Sequence, residues 1–167
     1  LEVNSTKVNF IAHFNMGVSY FNMKDYANAK KKFKNAYELN AQHSNSFLYL
    51  GRTHFELKEF NEAQNALERA VMLKDNSWSA HYFLARVYNS QGQYDLAIAA
   101  ADNTMKYHSR KTKFGGALVE RGIAFEKKGN NARALEDYNA ALADRVYKKS
   151  AEFQIEMLTK FGKKGGG

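Results

Sequence analysis

Residues 47–70 read FLYLGRTHFELKEFNEAQNALERA, and the same arrangement of large and small side chains recurs before and after this stretch. The small residues Gly17, Gly51 and Ala85 are spaced 34 positions apart, and Gly122 follows 37 positions after Ala85. Self-similarity at a fixed period of roughly 20–50 residues is the sequence signature of a stacked repeat protein. The chain is therefore predicted to be a tandem array of short repeats.

Each copy of the pattern predicts two helices, A and B. Its apolar residues recur three and four positions apart, which is the spacing of one face of an α-helix. The small residue of helix A is followed in helix B by an alanine, and a pair of small residues predicts that the two helices approach closely. The alanines in question are Ala29, Ala63, Ala97 and Ala134.

The four copies resemble the tetratricopeptide repeat, whose pattern is large-x-x-Leu-Gly-x-x-Tyr, then Ala-x-x-x-Phe, then Ala. The resemblance covers residues 10–146. It implies an all-α fold, a right-handed α-solenoid of helix-turn-helix repeats, whose A helices line a concave groove. The predicted organisation is a lead-in over 1–9, repeats over 10–43, 44–77, 78–111 and 115–146, a capping helix over 147–161, and a flexible tail or cloning remnant over 162–167.

Helix boundaries depart from the family pattern, because the chain contains no proline. Polar residues compensate: Ser44 and the pair Asn76 and Ser77 are predicted to cap A helices, and Asp25 and Asn130 are predicted to start B helices. Arg121 stands where the resemblance places an apolar residue. The fourth repeat is therefore expected to be the least regular.

The composition argues against several classes of function. Four repeats and a cap account for nearly all 167 residues, which leaves no room for a catalytic domain. The chain has no cysteine, which excludes thiolate metal sites and thiol nucleophiles. Its histidines lack the spacing of a zinc protease. We expect no enzyme activity, no metal and no cofactor.

The sequence contains no apolar run that approaches the length of a membrane span. It begins at Leu1 and shows no signal segment, so we expect a processed form or a piece of a longer protein. A soluble protein of the cytoplasm or of a bacterial periplasm fits this composition.

The net charge of +8 favours acidic partners. One basic cluster is Lys30, Lys31, Lys32 and Lys34; a second follows at Lys106, Arg110, Lys111 and Lys113. The alternative interpretation is that these lysines and arginines form solvated helix faces. Nucleic acid is disfavoured as a partner, because the outward positions of the A helices vary from repeat to repeat.

The outward positions of the A helices are the predicted partner-binding residues. Ile11, Phe14, Val18 and Phe21 are predicted to form an exposed apolar patch, which binds a partner or is covered by another part of the protein. Arg52 and Arg86 are predicted to face the groove about 10 Å apart and to bind a carboxylate. Solvated arginines or a pair with an acid on another helix are the alternative. The remaining groove residues are Asn45, Leu48, Phe55, Tyr82 and Asn89.

Together these features predict a non-catalytic protein-binding module. Its partner would present an acidic or apolar segment to the groove. The alternative is a scaffold that assembles from copies of this chain. Binding of nucleic acid or of an anionic surface through the basic clusters is less favoured.

Overall fold

A computed structural model describes the backbone of residues 2–108 and 114–161 and the side chains of residues 9–108 and 114–160. Within these ranges the chain forms nine α-helices and no strand. Arg110, Lys111 and Lys113 of the second basic cluster, the end of the third predicted repeat and the tail over 162–167 lie outside the described residues. The helices are α1 (Glu2–Asn22), α2 (Tyr26–Leu39), α3 (Ser44–Glu56), α4 (Phe60–Leu73), α5 (Trp78–Ser90), α6 (Tyr94–Tyr107), α7 (Gly115–Lys127), α8 (Asn131–Ala141) and α9 (Lys148–Phe161).

The chain divides into two compact units, the first ending at Phe83 and the second beginning at Leu84, both within α5. In the first unit α1 packs on α2, α2 on α3, and α3 on α4. In the second unit α7 packs on α6 and α8, and α9 packs on both α7 and α8. Helix α1 begins at Glu2, so residues 2–9 of the predicted lead-in are part of the first A helix. The exact limits of the repeats stay a prediction.

In three of the four repeats, the glycine of the A helix lies against a large side chain of the following B helix. A Cβ on Gly17 would come within 2.6 Å of the Phe33 ring, and one on Gly122 within 2.4 Å of the Tyr138 ring. Both distances are far below van der Waals contact. The sequence predicted that the small residue of helix A faces the alanine of helix B. In the structure, the large side chain of helix B leaves no space for a Cβ at these glycines.

The turn between helices A and B uses the left-handed backbone region once in each repeat. Lys24 and Lys58 both have φ of 61°, and Gly92 and Gly129 have φ of 74° and 80°. Glycine adopts this conformation without a steric penalty, whereas a residue with a Cβ does not. The first two turns therefore carry backbone strain that the last two avoid.

Two of the predicted helix caps are confirmed and one is wrong. The side chains of Asp25 and Asn130 accept hydrogen bonds from Asn28 N and Arg133 N, both at 3.2 Å. Helix α3 is instead capped by His43, whose Nδ1 accepts from Ser46 N at 3.2 Å. Ser44 lies inside α3, where its hydroxyl donates to the Ala70 carbonyl at 2.9 Å.

Helix α9 covers the apolar end of the second unit. Ala151 is fully buried and forms one cluster with the buried residues Leu118, Val119 and Ala141. Tyr147, the residue before α9, packs against this cluster. Ile155 and Leu158 are half-buried on the same side. The predicted capping helix thus packs inward through Ala151, Ile155 and Leu158.

Candidate functional site

Arg52 projects from α3 among three aromatic rings. Its guanidinium carbon lies 4.7 Å from the ring centre of Tyr49, 4.8 Å from that of Phe21 and 4.9 Å from that of Phe83. These distances fall within the range of cation–π attraction. The side chain of Arg52 is half-buried, so the rings hold its cation partly out of water.

The guanidinium of Arg52 lacks a hydrogen-bonding partner in the described part of the chain. Its Nε is buried without an acceptor, and no ion pair joins it to a carboxylate among the described residues. Aromatic faces attract the cation but accept none of its five N–H groups in the guanidinium plane. An acceptor from outside the chain would satisfy them.

Tyr49 is the centre of the aromatic cluster behind Arg52. Its ring lies 5.6 Å from Phe14, 6.0 Å from Phe21 and 5.4 Å from Phe33, measured between centroids. Aromatic pairs at such distances contribute to packing beyond the area that they bury. The cluster therefore fixes the rings against which Arg52 lies.

Three of the four residues predicted to form an exposed apolar patch on α1 are only partly exposed. Phe14, Val18 and Phe21 are half-buried and pack against the core cluster of Ala29, Phe33, Leu50 and Ala66. The sequence placed these residues on the outward side of the A helix because none of them occupies a position of the repeat pattern. Tyr49 of α3 nevertheless packs on Phe14 and Phe21. Ile11 is exposed, at 44% of its full area.

The remaining predicted residues of the first unit lie in different surroundings. Asn45 is exposed, whereas Leu48 is only 7% exposed and belongs to the core, which corrects its place in the groove. Phe55 and Tyr82 are half-buried, with ring centroids 6.3 Å and 5.3 Å from that of Phe83. Phe83, which the sequence did not single out, therefore links both of them to Arg52.

Arg86 and Asn89 of the second unit contact an acid from another helix. The amide nitrogen of Asn89 donates to the backbone oxygen and to Oε2 of Glu120, both at 2.9 Å. Arg86 Nε lies 3.8 Å from Glu120 Oε1. Burial raises the pKa of Glu120, against the opposing effects of Asn89 and Arg86. Of the two predicted arginines, Arg86 thus has an internal carboxylate, whereas no carboxylate among the described residues pairs with Arg52.

Arg121 explains the irregular position in the fourth repeat. It donates to both oxygens of Asp137, at 2.8 and 2.6 Å, and to Asp102 at 2.6 Å. These bonds raise the pKa of Arg121 above its ordinary value, mainly through Asp137. Asp137 is buried, so the arginine neutralises a charge within the repeat and plays a structural role.

Two of the histidines, His54 and His81, have hydrogen-bonding partners within the chain. His81 Nε2 lies 2.8 Å from the Asp75 carbonyl oxygen, and His54 Nδ1 lies 2.5 Å from Glu59 Oε2. Among the described residues no three His, Asp or Glu side chains are grouped to hold a metal ion. In that same part of the chain, none of the helices has the length and apolar character needed to cross a membrane.

Comparison with known proteins identifies the repeats. Models of the tetratricopeptide repeat match residues 20–80 and 79–102. Superkiller protein 3 of Schizosaccharomyces pombe is 24% identical over 115 residues, which are 69% of this chain but 8% of that protein. The chain thus spans a small part of that relative.

Solved structures share the fold. The crystal structure of MamA has a TM-score of 0.75 and 26% identity, covering 89% of this chain and 79% of that one. YrrB, a TPR protein with an unusual peptide-binding site, has a TM-score of 0.76 and 22% identity, covering 93% of this chain and 78% of that one. The chain is a tetratricopeptide-repeat protein with the predicted all-α, α-solenoid fold.

Proposed function

We propose that this chain is a non-catalytic module that holds a segment of another protein on the A helices of its first unit, with Arg52 as the residue that takes an acidic group. Tetratricopeptide repeats are protein–protein interaction modules, and the family is typically non-catalytic. The observation that carries the proposal is the half-buried guanidinium of Arg52, which lies among three rings and is paired with no carboxylate in the described part of the chain.

A carboxylate is the ligand group that fits this surrounding best. A guanidinium forms two parallel hydrogen bonds with a planar carboxylate, whereas a ring offers it only a face. The nearby rings also exclude water, which strengthens the attraction between the two charges. An aspartate, a glutamate or a chain terminus of the partner would satisfy the N–H groups of Arg52.

Apolar residues of the partner would pack beside the acidic group. Ile11 is exposed, and Phe55 and Tyr82 keep part of their surface accessible. Phe21 is one of the three rings around Arg52, and Phe14 packs on Tyr49 behind them. Val18 packs against the core cluster, and Leu48 belongs to the core. Arg86 and Asn89 are occupied by Glu120, so they contribute in this proposal only if a ligand displaces that acid.

Affinity capture with mass spectrometry tests the proposal. The parent chain is compared with Arg52→Gln and with Arg145→Gln, which removes the same charge from an exposed position in the second unit. We expect the parent and Arg145→Gln to capture the same protein and Arg52→Gln to lose it. Equal capture by all three chains would show that Arg52 does not bind the partner. If none of the three chains captured a specific protein, the binding function would be contradicted.

Self-association is the second candidate, and α9 favours it. Phe153 and Met157 lie four residues apart on this helix and are 57% and 38% exposed. Exposed apolar pairs at this spacing form a stripe on which another helix can pack. Sedimentation of the parent and of Phe153→Gln over a range of concentrations decides the matter. A mass that rises with concentration in the parent alone supports assembly, whereas a constant monomer mass contradicts it.

A further inference from the structure

A cleft of about 450 Å³ lies between α2 and α3, away from the rings around Arg52. Lys30, Lys31 and Lys34 line it from α2, where the spacings of three and four residues place their side chains on one face. His54 lines it from α3, and Tyr37 and Leu50 supply aromatic and apolar surface. The cleft thus combines several cations with a surface suited to an organic group.

Glu59 shows that the cations of this cleft converge on an anion. Its carboxylate accepts from Lys30 Nζ at 2.8 and 3.0 Å and lies 2.5 Å from His54 Nδ1. The hydrogen bonds from Lys30 and His54 hold the pKa of Glu59 below its ordinary value. One edge of the cation cluster is therefore already occupied by a carboxylate of the chain itself.

Lys31 and Lys34 have no such partner among the described residues. In the part of the chain whose side chains are described, no ion pair joins either lysine to a carboxylate. Glu38 lies four residues after Lys34 and is not paired with it. Like charges three and four residues apart repel on a helix, so an external anion would relieve the repulsion among Lys30, Lys31 and Lys34.

We propose that this cleft binds a phosphate monoester through Lys31 and Lys34, with Lys30 adding positive charge beside them. A phosphate monoester carries close to two negative charges and three acceptor oxygens. Lysine binds phosphate as a point charge, and several such charges can surround the acceptor oxygens of one phosphate. The cleft is larger than phosphate alone needs, which leaves room for the attached group against Tyr37 and Leu50.

Titration of the isotopically labelled chain, followed by NMR at constant ionic strength, tests this proposal. The probes are inorganic phosphate, an N-acetyl phosphoserine amide and adenosine monophosphate, with acetate as the carboxylate control. We expect saturable chemical-shift changes at residues of α2 and at His54 with all three phosphates. We expect acetate to bind more weakly. Tighter binding of the phosphoserine amide than of the nucleotide would assign the natural phosphate to a modified protein, and the reverse order would assign it to a small metabolite.

Two charge-matched double variants separate a site from general attraction. Lys31→Gln with Lys34→Gln should raise the dissociation constant for phosphate at least about tenfold, since hydrogen bonds to charged groups are lost. Lys127→Gln with Lys149→Gln removes the same charge from exposed positions of the second unit and should change it little. Lys31 and Lys34 are exposed, so their replacement should leave the spectrum otherwise unchanged.

Three results would overturn the phosphate site: no saturable shift with any phosphate, equal binding of acetate, or equal loss in both double variants. None of them bears on Arg52, because Arg52 does not line this cleft. The phosphate site and the proposed protein-binding function can therefore fail separately.

Discussion

Arg121 binds both carboxylate oxygens of Asp137, with Nε 2.8 Å from Oδ2 and Nη2 2.6 Å from Oδ1. The same guanidinium also reaches Asp102 with its remaining terminal nitrogen. The side chain of Asp137 is 8% exposed and that of Asp102 is 52% exposed. One arginine thus pairs with a buried acid and with a largely solvated one, and the two pairs should differ in their contribution to stability.

Asp137→Asn should destabilise the fold by about 2–4 kcal/mol, because it breaks a buried pair and leaves Arg121 without its main partner. Asp102→Asn is the matched control and should cost less than about 1 kcal/mol, since exposed ion pairs contribute little. Unfolding of both variants in urea measures the difference. Equal losses would contradict the unequal roles of the two acids.

The contact of Gly51 with Leu67 predicts a coupled pair of substitutions. A Cβ at Gly51 would lie 2.5 Å from Leu67 Cγ, so Gly51→Ala should cost about 1–3 kcal/mol through overpacking. In the third repeat the equivalent positions are Ala85 and Ala101. Because Leu67→Ala makes space for the added methyl group, the double variant should be more stable than the sum of its single variants predicts. Additive losses in urea unfolding would show that the close contact is relieved in another way.

The left-handed turn at Lys58 predicts a stabilising substitution. Lys58 has φ of 61°, and a residue with a Cβ in this region costs about 1–2 kcal/mol relative to a right-handed conformation. Lys58→Gly should therefore raise the free energy of unfolding by up to about 1 kcal/mol, after the greater chain entropy of glycine is subtracted. Lys58→Ala is the control, because it removes the same charge and keeps the Cβ. If both variants changed stability equally, strain at Lys58 would not be the cause.

Glu120 predicts a pH dependence of a specific sign. Burial raises its pKa in the folded chain, so the folded state binds the proton more tightly than the unfolded state. The contribution of Glu120 to stability is therefore greatest below its ordinary pKa and falls as the pH rises through the folded value. Glu120→Gln should be stabilising relative to the parent at neutral pH, and the difference should narrow as the solution is acidified. A difference that stays constant with pH would contradict this account.

The sequence predicts the repeats well because their signal is built from local spacing. Gly17, Gly51 and Gly122 recur at equivalent positions of the repeat. The two helices of each repeat follow from the periodicity of its apolar residues. Asp25 and Asn130 cap their helices as predicted because capping depends on residues only three positions apart. These interactions are all encoded within a few turns of helix.

The candidate site was harder to predict because its contacts join helices that are distant in sequence. Tyr49 and Phe83 surround Arg52 together with Phe21, yet only Phe21 was counted among the groove residues. Glu120 meets Asn89 across 31 positions, so the internal carboxylate of Arg86 could not be found by inspecting its own helix. Tyr49 offered one local signal, since it precedes Arg52 by one helical turn.

The most direct test of the central claim is a double-mutant cycle between Arg52 and the acidic residue of a captured partner segment. The two peptides are the acidic segment and its amide analogue, in which the acid is replaced (Glu→Gln or Asp→Asn). Fluorescence anisotropy gives the dissociation constant of each peptide for the parent chain and for Arg52→Gln. We expect Arg52→Gln to weaken binding of the acidic peptide at least about tenfold and to leave binding of the amide analogue nearly unchanged. Equal weakening of both peptides, or no weakening of either, would contradict an ion pair at Arg52.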